Sequence, residues 1–208
     1  SLRRQRQMCI RDSSKYYAKV TMKPGVEKAA YGTVTVDGDK DAVWDNVGTI
    51  PITINLGSNV SANAKLLWDK DNFYVYAEIK DPVLNNTNGD AWEQDSLEVF
   101  IDENNGKSNS YEDDDKQYRI SYVNDHSFNG KKCLEENMKS VAKITSDGYV
   151  VEASFKWTDI TPKAGDEIGL EFQINDADAS GKRIGTLSWN DETGMGWSKP
   201  EVFGTVKL

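Results

Sequence analysis

Short stretches of strict apolar–polar alternation recur along this chain. Between Ser96 and Ile101, Leu97, Val99 and Ile101 fall on one side of an extended segment, and Ser96, Glu98 and Phe100 on the other. Gln117–Tyr122 repeats the pattern, with Tyr118, Ile120 and Tyr122 on one face and Gln117, Arg119 and Ser121 on the other. Glu171–Asn175 does so again, placing Phe172 and Ile174 inside and Glu171, Gln173 and Asn175 outside. Ala64–Trp68 and Phe73–Ile79 flank the turn residues Asp69-Lys70-Asp71-Asn72 and predict a hairpin; Lys139–Thr145 and Tyr149–Phe155 predict another around Asp147-Gly148. Asn105-Gly106 is a tight-turn signal after the Ser96 strand. Further strands are expected at Tyr31–Val36, Ile50–Leu56, Arg183–Trp189 and Phe203–Leu208, and little of the chain has a helical period. The expected fold is all-β, an antiparallel β-sandwich of jelly-roll or immunoglobulin-like type, with one sheet keeping a face open to water.

The 208 residues suit one such domain. Residues 1–13 are basic, unpatterned and unlike the rest of the chain, and Met8–Ser13 looks like a translated sequencing adapter, so this segment reads as artefactual. Residues 14–30 read as a linker or an edge strand, and 31–208 as the folded module. Cys9 falls in the distrusted segment, which leaves Cys133 a lone thiol and no disulfide argument.

Charge narrows the partners. The whole chain carries −9, and without residues 1–13 the balance is 21 basic to 33 acidic residues. Nucleic acids and anionic membranes need basic patches, so neither is an expected partner. No apolar run is long enough to span a bilayer.

Several chemistries drop out. The single histidine, His126, excludes a multi-histidine metal cage and stands in a polar stretch unsuited to a catalytic triad. Asp37-Gly38-Asp39-Lys40-Asp41 is spaced like a calcium loop, but Ala42 and Gly48 occupy the positions where an EF-hand needs Gly and Glu. Glycoside hydrolysis needs two carboxyls roughly 5 to 10 Å apart; Glu98 with Glu171 or Asp95 is conceivable, yet an acidic chain always offers some pair. A stronger constellation is not catalytic. Glu98, Gln117-Arg119-Ser121 and Gln173-Asn175 lie opposite apolar faces and, on one sheet, would make a patch of planar hydrogen-bonding groups bordered by Trp92 and Trp197. Guanidinium, carboxylate and amide groups suit sugar hydroxyls, and indole faces suit sugar C–H faces. The plainer alternative pairs Glu98 with Arg119 across strands and buries both tryptophans.

The stretches Val36–Trp44, Leu67–Val75, Trp92–Asn105, Tyr111–Ile120, Gly148–Ala153 and Gln173–Asp178, with Ser188-Trp189, Trp197 and Phe203-Gly204, resemble carbohydrate-binding modules of family nine, known mainly as appendages of xylanases. The resemblance implies a non-catalytic β-sandwich that binds the reducing-end sugars of cellulose and xylan. Two tryptophans matching Trp92 and Trp197 clamp the sugar, over a carboxylate and guanidinium matching Glu98 and Arg119; Gln117, Ser121, Gln173 and Asn175 are supporting contacts. Ser121 stands where the best-known members offer an Asn, and Glu192–Gly196 lacks another, which removes hydrogen bonds. The resemblance further implies structural calcium, with Asp113 and Asp115 as candidate ligands, an attached glycoside hydrolase, plant cell-wall polysaccharides as partners, and a secreted or cell-surface location. The rival functions are a glycoside-active enzyme using Glu98 and a structural spacer without ligand.

Overall fold

A computed structural model describes residues 26–208. Residues 1–25, and with them Cys9, the segment read as artefactual and most of the linker-or-edge stretch, lie outside the described residues.

Two sheets face each other. The first runs β1 (Val26–Lys28), β14 (Gly204–Lys207), β12 (Glu167–Ala177), β7 (Ser96–Asp102), β8 (Asp115–Ser121) and β9 (His126–Asn129). Strand β13 (Arg183–Ser188) pairs with the far half of β12, and β4 (Ile54–Leu56) with β13. The second sheet runs β10 (Met138–Ile144), β11 (Gly148–Lys156), β6 (Asn72–Lys80), β5 (Ser61–Trp68) and β2 (Ala30–Tyr31), with β3 (Ile50–Ile52) also on β5. The sandwich is all-β as expected. Its pairs are antiparallel except β1–β14 and β2–β5, which are parallel.

The alternation fixes which residues meet. Leu97, Val99 and Ile101 of β7, Tyr118 and Ile120 of β8, and Phe172 and Ile174 of β12 form one buried cluster with Phe73, Val75 and Ile79 of β6 and Val151 and Phe155 of β11. Burying each such side chain contributes about 1.5–3 kcal/mol. Trp44 is fully buried in a separate cluster on the outer face of the second sheet, with Leu67, Tyr74 and Tyr76. Its indole N–H donates to Glu152 Oε1 at 2.9 Å.

Three local expectations change. Ile50–Leu56 is two strands on different sheets, broken at Thr53. Asn105-Gly106 makes no tight hairpin: Asp102 accepts hydrogen bonds from the Gly106 and Lys107 N–H groups at 3.2 and 2.8 Å, and a long loop then leads to β8. That carboxylate curls the chain around itself, with positive φ at Asn105 and Lys107. Lastly, the outward face of the first sheet is not washed by water at its centre. Ser96, Glu98, Phe100, Arg119 and Asn175 are all buried. The covering pieces include Phe203, packed 5.7 Å from Phe100, and Gly196, whose carbonyl accepts the Tyr111 hydroxyl at 3.1 Å.

Candidate functional site

Register brings the expected polar residues together. Glu98 of β7 stands opposite Arg119 of β8 and Gln173 of β12, and Ser96 stands opposite Ser121 and Asn175. The cover over this face opens above Glu98 into a cleft of about 490 Å³ lined by Trp92, Glu98, Gln117, Gln173, Arg183 and Trp197. A neighbouring concavity of about 290 Å³ shares Trp92, Glu98 and Gln117 and adds Arg119 and Asn129.

Both tryptophans remain exposed, Trp92 at 48% and Trp197 at 56%, which is uncommon for the largest apolar side chain. Trp92 sits in a one-turn 3-10 segment, Ala91–Glu93, tied at its C-terminal side to the preceding loop and to β13. Gln94 Nε2 donates to the Asn88 carbonyl at 2.6 Å, and Glu93 accepts the Arg183 N–H at 2.7 Å. Trp197 follows a loop wound around a carboxylate: Asp191 accepts the N–H groups of Thr193, Gly194 and Gly196. Glu171, further back on β12, accepts those of Trp189 and Asn190.

The floor is a closed amide–carboxylate network. Glu98 Oε2 accepts from Gln117 Nε2 and Oε1 from Asn175 Nδ2, both at 2.8 Å. Asn175 Oδ1 in turn accepts Gln173 Nε2 at 2.9 Å and Arg183 NH1 at 3.1 Å. Burial pushes the Glu98 carboxyl above its ordinary pKa; the two amide donors, then the charges of Arg119 and Arg183, pull the other way. Arg119 makes no ion pair with Glu98. Its NH2 donates to Gln94 Oε1 at 2.8 Å, its Nε is buried without a partner, and burial lowers its pKa.

The structure thus gathers Trp92, Trp197, Glu98, Gln117, Gln173 and, alongside, Arg119 around one opening; Asn175 lies beneath as a support. Ser121 is not part of the lining: it is fully buried and its hydroxyl accepts the Asp125 N–H at 2.9 Å. Arg183, Gln94 and Asn129 were missed. Arg183 begins a strand without alternating charge to mark it, and Gln94 and Asn129 sit at strand margins where spacing carries no facing information.

A second catalytic carboxylate is not at hand, since Glu98 is the one acid lining the cleft. Glu171 is occupied by backbone N–H donors, and burial lifts its pKa to about 8. Asp95 is held by the N–H groups of Asn85 and Ala177, both at 2.6 Å.

Asp113 and Asp115, the expected calcium ligands, have other partners among the described residues. Asp113 is exposed and ion-paired with Lys131, while the Asp115 carboxylate accepts the Glu112 N–H at 2.6 Å. Among the described residues one donor group exists: carboxylate oxygens of Asp81, Asp95 and Asp176, within 4.8 Å of one another and all buried. Burial raises the pKa of Asp81 to about 6 and of Asp95 to about 7, and Asp81 Oδ2 has no hydrogen-bond partner. Clustered buried carboxylates with a spare oxygen suit a hard, oxygen-liking cation such as calcium.

The sequence profile described as "Carbohydrate family 9 binding domain-like" matches residues 36–208. Endo-1,4-beta-xylanase A of Thermotoga neapolitana is 44% identical over 187 residues, 88% of this chain and 18% of that protein. Exoglucanase XynX of Acetivibrio thermocellus is 41% identical over 200 residues, 94% of this chain and again 18% of its own length. The chain therefore spans under a fifth of these relatives. A carbohydrate-binding module of family 9 from Caldicellulosiruptor kristjanssonii, solved with cellotriose, superposes with TM-score 0.85 at 37% identity, covering 88% of this chain and 93% of that one. A fold of this kind, a cleft with one acid and two bared tryptophans, and matches confined to one module of larger enzymes agree: the chain belongs to the carbohydrate family 9 binding domains, which are non-catalytic accessory modules.

Proposed function

We propose that the cleft clamps the reducing-end sugar of a xylan or cellulose chain between Trp92 and Trp197, and so holds an attached glycoside hydrolase on plant cell-wall polysaccharide outside the cell. The observation that carries this reading is the pair of exposed indoles on one cleft above the bonded carboxylate of Glu98. Indole faces take the C–H faces of a pyranose; Glu98, Gln117, Gln173 and Arg119 present acceptors and donors to its rim. The closed network holds the floor in place before a ligand arrives, so little ordering cost remains. The related module solved with cellotriose, and another structure of it with glucose, support a glycan ligand for this chain. A calcium ion held by Asp81, Asp95 and Asp176 would brace the segment that carries Trp92, three residues before Asp95, and supply fixed positive charge among those acids.

Calorimetry with cellobiose and its borohydride-reduced form tests the reading. Cellobiose binds and the reduced sugar, with its terminal ring opened, does not; equal binding rejects reducing-end recognition. Trp92→Ala and Trp197→Ala each weaken cellobiose binding by about tenfold or more, on the order of 1.4 kcal/mol. Wild-type affinity in both variants rejects the clamp.

A further inference from the structure

The cleft is richer in positive charge than a neutral sugar requires. Arg183 lies in its lining, with its guanidinium carbon 4.8 Å from the centre of the Trp92 ring. One of its nitrogens donates to Asn175 Oδ1, and its Nε and NH2 bond nothing among the described residues. Arg119, in the adjoining concavity, is bonded to a neutral amide. Neither arginine has an acidic ion-pair partner among the described residues, although the chain carries 34 acidic residues to 25 basic ones. The one carboxylate in the lining, Glu98, is engaged by two amide donors. Among the side chains that line the two concavities, two guanidiniums stand against one carboxylate, and the nearby Glu93 carboxylate is taken by the Arg183 backbone N–H, inside a protein whose net charge is −9.

Buried or half-buried guanidiniums are ordinarily paired, because desolvating an uncompensated charge is costly. Arg183 is also oriented. Its contact with the Trp92 ring and its bond to the fully buried Asn175 hold the guanidinium plane in the cleft, and its free edge presents two N–H groups side by side. That is the fork that matches a carboxylate in bidentate fashion.

We infer that the cleft prefers an acidic sugar, a uronic acid whose carboxylate is received by the free edge of Arg183 while its ring occupies the space between the tryptophans. This rests on the reading of the cleft as a glycan site. The ligand supplies the anion that the protein withholds. Because the contact lies inside the cleft, bulk salt screens it only in part.

D-Glucuronate and D-glucose differ only at C6, carboxylate against hydroxymethyl, so their dissociation constants isolate the charge. Titrated into the full chain at neutral pH, D-glucuronate binds at least about fivefold tighter than D-glucose, as a charge-assisted pair adds to the contacts the two share. In Arg183→Gln the ratio of the two constants falls to about one or reverses, whatever happens to glucose itself; Arg183→Lys, which keeps the charge without the fork, gives an intermediate ratio. Circular dichroism of the variants establishes that they are folded. Equal binding of the two sugars by the wild type, or a preference surviving in Arg183→Gln, overturns the inference and leaves the glycan site standing. Binding of neither sugar, nor of cellobiose, overturns both.

Discussion

Glu98 is where the stability of the floor and its proposed role in recognition meet. Both its oxygens are satisfied from within the protein, yet it lines an opening. A carboxylate can accept further hydrogen bonds on its remaining lone pairs, so a ligand hydroxyl can be received without breaking the network. Glu98→Gln tests this. The new amide turns one N–H group toward a donor. Asn175 cannot rotate to meet it, because its oxygen already holds Gln173 and Arg183; Gln117 can, at the loss of the 3.2 Å bond from Asn129. The variant should lose about 1–3 kcal/mol of stability and about tenfold or more of cellobiose affinity, read by urea denaturation and calorimetry. Unchanged affinity would remove Glu98 from the site. At this scale the sequence was informative about Glu98, since a carboxylate within strict alternation is conspicuous. It was silent on Arg183, whose role depends on the separate course of the Trp92 segment, and misleading on Ser121, which shares a strand face with Arg119 but lies under the Asp125 turn.

Elements carry the next level of order. Strands β7, β8 and β12 were legible because a period of two needs only local information. What covers their polar face was not, since loop positions depend on contacts between residues far apart in sequence. Glu171 is the pivot: on the outward face of β12, it receives the backbone of the loop that presents Trp197. Its burial has a consequence for stability. In the folded chain its carboxyl titrates at about 8, against an ordinary value of 4.5, and Asp115 is likewise raised, to about 7 from 3.8. Between the ordinary and the raised values the folded state retains protons that the unfolded chain releases, so stability falls as pH rises through this window. Acids lowered by their partners, such as Asp159 and Asp69, act below it and do not offset the trend. Urea midpoints in the presence of a chelator should therefore be lower at about pH 8 than at about pH 5; the reverse order would mean these carboxylates are ionised in the fold.

At the scale of the molecule, the question is what joins the two sheets beyond their shared apolar core. Asp81 comes directly after β6 of one sheet, whereas Asp95 precedes β7 and Asp176 belongs to β12 of the other. The three acids meet where the sheets close on each other, and Asp95 opens the strand that carries Glu98. The acidic run Glu112–Asp115 looked the better cation site in sequence because its charges are adjacent. Adjacent acids diverge along the backbone: Glu112 and Asp113 turn outward, while Asp114 and Asp115 are buried on the N–H groups of Asn104 and Glu112; acids separated by steps of 14 and then 81 residues converge only through the fold. Left alone, such a cluster opposes closure of the sandwich by mutual repulsion and desolvation; a bound divalent cation reverses the sign of that contribution. At a calcium concentration about a hundredfold above the dissociation constant, binding linkage adds about 2.7 kcal/mol, which for a domain of this size is a rise of roughly 5–10 °C in Tm. Calorimetric scans in calcium and in chelator measure it, and Asp81→Asn, which removes the unpartnered carboxylate oxygen, should abolish the difference while the variant still melts cooperatively. A chain indifferent to calcium, or an Asp81→Asn variant that responds in full, would show that these acids close the sandwich as protonated neighbours instead. Because Trp92 lies in the turn just before Asp95, the cation that draws the sheets together would also steady one wall of the sugar cleft, and cellobiose affinity should rise with the melting temperature.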